Sequence, residues 1–402
     1  MTLEEVEILN SDPVTRQLLD LREEAPERVA LRVREHGALL ATQVKYLQRA
    51  RTKLPSYYRA GCIIPPLAFE QSSSEDVARR KKYTGDLCVD LTCGLGVDAY
   101  TLSHRFKRVI AVERDPVTAR VAEINFGRLG ADNIEVVCDT AERFIDAFSE
   151  RADLFYIDPA RRDGTRKVFL LEDCSPNLLG LLPELLKKGK TVVAKLSPMF
   201  DVEEVFRIFG DTASVEVMSL RGECKEVLVR ISSDPEPESG TIRVSRSEED
   251  SLLFDRGEQQ LETAEFTPPY RWFGVPDVSL GKARLVSRYA ARIVGAFATS
   301  SGGYCLFESE PEHFFGRLFS LRETIPYHPK SLRRRLKDLG IIRCEVMKRE
   351  FPYSIETILR SLGIREGGSD KIAFTKIGAE PYAFLLGPER LCDKESDYGK
   401  KE

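Results

Sequence analysis

Residues 90 to 98 read Asp90-Leu91-Thr92-Cys93-Gly94-Leu95-Gly96-Val97-Asp98. They follow a short apolar run, Leu87 to Leu91, and precede a helical stretch. Gly94 and Gly96 let the turn bring backbone close to a ligand. Asp90, at the strand's carboxyl end, puts a carboxylate in the crevice where doubly wound sheets bind cofactors. Working outward, Glu113 closes a second predicted strand, Val109 to Val112, where an acid can take both hydroxyls of a ribose. Asp139 follows the third strand, Ile134 to Cys138, placed to accept from an adenine amino group. Asp158-Pro159-Ala160-Arg161 follows the fourth, Leu154 to Ile157, over the reacting end of a ligand.

Further strands are predicted at Thr191 to Leu196, Val215 to Leu220 and Val227 to Ile231. Helical stretches lie between them at Pro116 to Gly130, Ala141 to Ser149, Ser175 to Lys188 and Asp201 to Gly210. Such alternation predicts a Rossmann-like, doubly wound α/β sheet with right-handed crossovers. The last two strands are too close for a crossover helix and are expected to pair as an antiparallel hairpin at the sheet's edge.

The flanks differ in texture. Residues 1 to about 60 carry apolar positions such as Leu18, Leu31, Leu40, Val44 and Leu47 at helical spacing, which predicts an amino-terminal helical domain. Ser232 to Gly240 is too poor in apolar groups to pack and reads as a linker or long loop. Beyond it, helices are expected at Lys282 to Phe297, Ser331 to Leu339 and Ser354 to Leu362, with strands at Cys344 to Met347 and Ala373 to Thr375. The last of these make a small α+β carboxyl-terminal domain. The expected division is 1–78 helical, 79–235 catalytic, 236–325 mixed α+β and 326–395 basic α+β.

Composition excludes several classes. With 402 residues, 42% hydrophobic and 31% charged, the chain is neither disordered nor fibrous. Its net charge is only −4, yet the sign is segregated. Residues 28 to 60 carry eight Lys/Arg against one acid, and 313 to 349 carry ten against three, whereas 232 to 265 carry three against ten acids. Two basic segments on a slightly acidic chain point to a local anionic partner. The nine cysteines form no CxxC pair, so neither disulfides nor a structural metal are expected. The acidic start Met1-Thr2-Leu3-Glu4-Glu5-Val6-Glu7 and the lack of a long apolar run lead to the expectation of a cytoplasmic protein without membrane attachment.

Acids after four successive strands match the S-adenosylmethionine site of class I methyltransferases. The Asp-Leu-x-Cys-Gly-x-Gly-x-Asp turn resembles that of RNA 5-methyluridine methyltransferases and cap trimethylguanosine synthases. As a whole, the chain looks closer to the bacterial class I methyltransferases with a THUMP-like carboxyl-terminal domain. That resemblance is carried by Glu70-Gln71-Ser72-Ser73-Ser74, Asp158-Pro159-Ala160-Arg161-Arg162, Lys195-Leu196-Ser197-Pro198, Pro276-Asp277 and Lys348-Arg349. It implies S-adenosylmethionine as cofactor, with Gln71 and Ser72 closing over it. Asp90, Gly94, Gly96, Asp98, Glu113, Asp139 and Thr140 complete the expected cofactor site, and Asp158, Pro159 and Arg161 are the expected catalytic residues. A dinucleotide is the competing ligand, because Gly94-Leu95-Gly96-Val97-Asp98-Ala99 also satisfies a GxGxxA fingerprint. That reading leaves Asp90 and Asp158-Pro159 without a task.

Methyl transfer from a sulfonium is an in-line displacement, so positioning and exclusion of water are the main requirements. Amino-methylating relatives carry a D/N-P-P-aromatic tetrad; here Ala160 and Arg161 replace its last two members, which counts against simple amine methylation of a flipped base. C5 methylation of a pyrimidine needs a cysteine nucleophile. Cys174 is the cysteine nearest the fourth-strand motif, and an inert thiol is the expected reading of it. A base nitrogen or ribose oxygen attacking directly is the default.

The basic stretch supplies the expected RNA contacts: Lys330, Arg333, Arg334, Arg335, Lys337, Lys348 and Arg349, with Tyr327, His328, Phe351 and Tyr353 available for stacking. The expectation is therefore a methyltransferase acting on a base in structured rRNA or tRNA. A non-catalytic RNA-binding protein with a retained cofactor pocket, and a small-molecule methyltransferase, are the alternatives.

Overall fold

The computed structural model describes residues 1–161, 171, 174–233, 237–256 and 265–390. It divides into two compact units, the first formed by residues 1–218, 225–243 and 247–249, the second by the remainder.

Seven helices open the first unit: α1 (Leu3–Asn10), α2 (Asp12–Leu21), α3 (Pro26–Arg32), α4 (Gly37–Lys53), α5 (Pro55–Ala60), α6 (Pro66–Gln71) and α7 (Glu75–Arg79). Proline at the first turns of α2, α3, α5 and α6 starts each helix where its missing N–H costs nothing. Their buried faces, including Leu18, Leu40, Val44 and Leu47, share one core with Leu95, Val97 and Val121 of the following βα elements. The helical reading of this region therefore holds.

The alternation of strand and helix also appears as predicted. β1 (Gly85–Asp90), α8 (Val97–Ser103), β2 (Phe106–Glu113), α9 (Pro116–Leu129), β3 (Ile134–Cys138), α10 (Ala141–Ala147) and β4 (Ala152–Ile157) lead into a short ladder of β5 (Ala160–Arg161) with β6 (Cys174–Ser175). Then come α11 (Leu178–Lys188), β7 (Gly189–Leu196), α12 (Val202–Phe209), β8 (Ala213–Leu220), β9 (Glu223–Ser232) and β10 (Thr241–Ser245). Within this unit the strands run in the order β10-β8-β9-β7-β4-β1-β2-β3. β1 pairs in parallel with β2 and β4, β2 with β3, and β4 with β7, whereas β9 runs antiparallel to β7. The doubly wound fold is as expected. The β8–β9 hairpin is not at the edge, because β10 continues the sheet past β8 from a stretch whose charge conceals its buried Ile242 and Val244. Of the expected linker, residues 234–236 lie outside the described residues, and 237–240 form a turn.

The second unit contains β11 (Ser251–Asp255), β12 (Trp272–Pro276), α13 (Val278–Lys282), α14 (Val286–Ala291), β13 (Ala296–Ala298), β14 (Cys305–Phe307), β15 (Gly316–Pro326), α15 (Pro329–Asp338), β16 (Arg343–Lys348), α16 (Ile355–Leu362), β17 (Arg365–Ile377) and β18 (Glu380–Arg390). Seven strands make one sheet, ordered β13-β14-β12-β15-β18-β17-β16. β16 and β17 are parallel, and β18 pairs antiparallel with both β15 and β17. The long helix expected over Lys282 to Phe297 does not form. Arg284 adopts a left-handed φ of 54°, Leu285 N–H returns to the Leu280 carbonyl, and a second turn at Gly295 feeds β13. α15 buries Leu332 and Leu336 and turns its basic residues outward, the pattern its periodicity predicted.

Candidate functional site: a carboxylate row over a buried lysine network

β1 is central, with β2 on one side and β4 on the other, so the chain reverses its winding direction there. The carboxyl ends of β1 to β4 accordingly align Asp90, Glu113, Asp139 and Asp158 along one end of the sheet, at the switch point where open α/β sheets take ligands.

Asp90 is almost fully buried and accepts from the Thr92 N–H at 3.0 Å. Burial pushes its pKa up to about 7, against the opposing pull of that N–H bond. Gly94 has φ 55°, and its N–H donates to Glu113 Oε2 at 2.9 Å; the other Glu113 oxygen accepts from the Asp115 N–H. Second-strand acid and glycine turn are thus joined directly. A Cβ on Gly94 would meet nothing within 4 Å, so the turn faces open space. At Gly96, with φ 86°, a Cβ would lie 2.4 Å from the Phe126 ring, so this glycine serves packing. Asp139 bonds the Thr140 N–H at 2.8 Å, and Thr140 caps α10. Gln71 is exposed at the end of α6, and Ser72 Oγ donates to the Phe69 carbonyl at 2.9 Å.

Beneath this row lies a charge network that the sequence reading missed. Lys81, fully buried between α7 and β1, contacts Asp98 Oδ1 at 2.5 Å and Glu226 Oε1 at 3.0 Å. Lys195, at the end of β7, contacts Asp158 Oδ2 at 2.6 Å, Ser73 Oγ at 3.1 Å and Asp98 Oδ2 at 3.4 Å. Asp98, expected at the cofactor, pairs with two ammonium groups, which hold its pKa well below the usual carboxylate range despite burial. Lys195 is held above the ordinary lysine value because Asp98, Asp158 and Glu226 outweigh its desolvation. Burial raises Glu226. The Tyr156 hydroxyl is buried here with no hydrogen-bond partner among the described residues, and Lys81 Nζ lies 5.3 Å from the centre of its ring. Asp158 is further fixed through its N–H, which donates to Thr92 Oγ1 at 2.7 Å.

Lys195 could have been found from its place at the carboxyl end of the predicted strand Thr191 to Leu196. Lys81 and Glu226, 145 residues apart, meet only through the fold. Pro159 is buried; the Arg161 side chain and all of Arg162 lie outside the described residues. Cys174 is buried in the short ladder beside Arg161.

In the second unit, Lys330, Arg333, Arg334, Arg335, Lys337 and Lys348 are exposed. Arg335 pairs with Glu323 at 3.0 Å. Arg349 differs, because its guanidinium donates to the carbonyls of Gly303 at 2.9 Å and Pro276 at 2.7 Å and lies over the Tyr304 ring. Tyr327 and Phe351, read as stacking candidates, are buried against each other in the core, leaving His328 and Tyr353 exposed.

Residues 316–388 match a family model described as "THUMP domain-like". Over 94% of its length the chain superposes on a crystal structure of a candidate methyltransferase from Porphyromonas gingivalis W83, covering 97% of that chain with a TM-score of 0.78 at 27% identity. The chain has a methyltransferase fold with a THUMP-like carboxyl-terminal domain. It is also 27% identical to an uncharacterized S-adenosylmethionine-dependent methyltransferase of Mycobacterium tuberculosis over 78% of this chain and 84% of that one. A shorter match, 28% identical over 30% of this chain and 40% of the relative, is to a tRNA/tmRNA (uracil-C(5))-methyltransferase of Mannheimia succiniciproducens. The matched THUMP-like segment thus includes the whole of α15. Among the described residues, no helix is long and apolar enough to cross a membrane.

Proposed function

We propose that this protein transfers a methyl group from S-adenosylmethionine to a base in structured rRNA or tRNA. The observation that carries this reading is the alignment of Asp90, Glu113, Asp139 and Asp158 around a glycine turn that faces open space. A cationic, ribose-bearing, adenine-bearing cofactor fits that set. Glu113 would take the ribose hydroxyls, Asp139 and Thr140 the adenine edge, and Asp90 the positively charged end, with Gln71 and Ser72 at the rim. Asp98 supports the set from below, through Lys195. When bound, the cofactor supplies an electrophilic methyl group.

The chain's own part in the reaction is to orient the acceptor and exclude water. Asp158, held by Lys195 and Thr92, would accept a hydrogen bond from the target nucleotide, and Pro159 and Arg161 would frame it. Burial of Cys174 and the Ala160-Arg161 departure from the amine-methylating tetrad support direct attack by a ring nitrogen of the base over a covalent cysteine route. The RNA reading rests on the exposed cations of α15, on Lys348 and on the THUMP-like domain. We further place the protein in the cytoplasm, where such RNA is found.

The test is transfer of labelled methyl from S-adenosylmethionine to size-fractionated RNA from a strain lacking the gene, with Asp158→Ala as control. Label in one fraction, absent with the variant, is the expected result. No label in any fraction, despite stabilisation by the cofactor, would overturn the RNA reading.

A further inference from the structure

Helix α4 carries Lys45, Arg49 and Lys53 four residues apart, which places them on one stripe of the first unit. The stripe is built rather than loosely solvated. The Arg49 guanidinium lies 5.2 Å from the centre of the Tyr46 ring and 5.1 Å from that of Phe69, and Lys53 Nζ lies 4.7 Å from Phe69. Tyr46 and Phe69 pack edge to face with centroids 5.5 Å apart, giving the long side chains an aromatic shelf. Glu70, the neighbouring acid, is ion-paired with Arg49.

Lys53 is the unusual member. Its ammonium is half-buried, donates to the Phe69 carbonyl at 2.5 Å, and has no carboxylate within ion-pair distance among the described residues. Burial lowers its pKa to about 8; Glu70 opposes this, whereas the positive charges of Arg49, Lys195 and Lys225 add to it. A desolvated cation next to other cations is costly to leave uncompensated, and an anion resting there would relieve the cost. Lys195, one of those neighbours, holds Asp158. The same Phe69 carbonyl accepts from Ser72 Oγ, and the next residue, Ser73, accepts from Lys195 Nζ at 3.1 Å, so the stripe ends on the segment that meets the lysine holding Asp158.

We infer that Lys45, Arg49 and Lys53 form a phosphate track that leads a nucleic-acid backbone along α4 to the site. The inference rests on the RNA reading above and assigns a contact surface to the methyltransferase fold itself, apart from the THUMP-like domain. Three regularly spaced cations suit a repeating anion, and the aromatic shelf reduces the entropy lost when they engage it.

The experiment is filter binding of the full-length protein to end-labelled unfractionated tRNA and rRNA between about 50 and 300 mM salt. Wild type is compared with Lys53→Met and with Lys45→Glu/Lys53→Glu, and the melting temperature of each is read with and without S-adenosylmethionine. The expected result is a cofactor-induced rise in melting temperature equal to wild type, with RNA affinity about five- to tenfold weaker and a log-log salt slope lower by about one per lysine. Unchanged affinity and slope would overturn the track while leaving the RNA reading intact. Loss of the cofactor-induced rise would reassign Lys53 to the fold or the cofactor rim. No retention of either RNA by wild type would overturn the RNA reading and the track together.

Discussion

Lys195 Nζ stands 2.6 Å from Asp158 Oδ2 and 3.4 Å from Asp98 Oδ2, so one buried ammonium ties the expected substrate-positioning carboxylate to a second carboxylate at the start of α8. Such an arrangement fixes the direction in which Asp158 points. Replacing Lys195 with Met removes the fixing charge and leaves Asp158 free to rotate, while the residues expected at the cofactor keep their places. We expect a fall of about 10²-fold in kcat, the scale of a small misplacement of the reacting groups, with cofactor-induced stabilisation retained. Lys195→Arg, which keeps the charge, should recover part of it. Equal losses in the two variants would count against a positioning role.

Lys81 has a different duty. It neutralises Asp98 and Glu226 inside the protein, and removing one partner of a buried pair leaves the others uncompensated. Lys81→Met should cost about 3–5 kcal/mol in urea unfolding. Lys81→Met/Glu226→Gln, which removes charges of both signs, should recover part of that.

The contrast between these two lysines shows what the sequence could and could not disclose. Asp90, Glu113, Asp139 and Asp158 were legible because each ends a strand, and strand ends are readable from apolar runs and turn residues. Lys81 and Glu226 carry no local mark of burial; only the pairing of β7 with β9 brings Glu226 inward. The same limit explains Arg349. Beside Lys348 it looks like one more surface cation, yet it faces the carbonyls of Gly303 and Pro276. The broken helix near Arg284 fails for a neighbouring reason, because helical periodicity across 282–297 gives no sign of a left-handed residue.

Asp90 makes stability depend on pH with a definite sign. Its folded pKa of about 7 lies above the ordinary value of 3.8, so the folded state holds the proton more tightly than the unfolded chain. Stability is therefore lost as pH rises from about 4 to 7, by about 4 kcal/mol from this group at 1.36 kcal/mol per unit. Asp90→Asn, uncharged throughout, should lack this component. Urea midpoints of the two proteins should diverge in the variant's favour between pH 5 and pH 8, and parallel curves would contradict the assignment.

The two turn glycines should separate packing from ligand access. Gly96→Ala drives a methyl group to 2.4 Å from the Phe126 ring at a left-handed φ and should destabilise by about 2–4 kcal/mol. Gly94→Ala meets open space, so only the backbone penalty of about 1 kcal/mol applies. The added methyl group projects where a cofactor would lie, so this milder variant should lose most of the rise in melting temperature on adding S-adenosylmethionine. A full rise in Gly94→Ala would place the ligand elsewhere.

The basic residues of the THUMP-like domain divide the same way, and salt dependence distinguishes them. Arg333, Arg334 and Arg335 lie on the exposed side of α15, and each phosphate-binding cation removed lowers the log-log salt slope by about one. Changing all three to Glu should flatten the slope by about two to three with little change in stability, Arg335 counting for less because Glu323 already holds it. Arg349 is half-buried, and its desolvated guanidinium has a lowered pKa while satisfying two carbonyls. Arg349→Met leaves those carbonyls unpaired at about 1–3 kcal/mol each. It should therefore lower the urea midpoint and leave the salt slope of the folded protein unchanged. A flattened slope without loss of stability would return Arg349 to the RNA-contacting set.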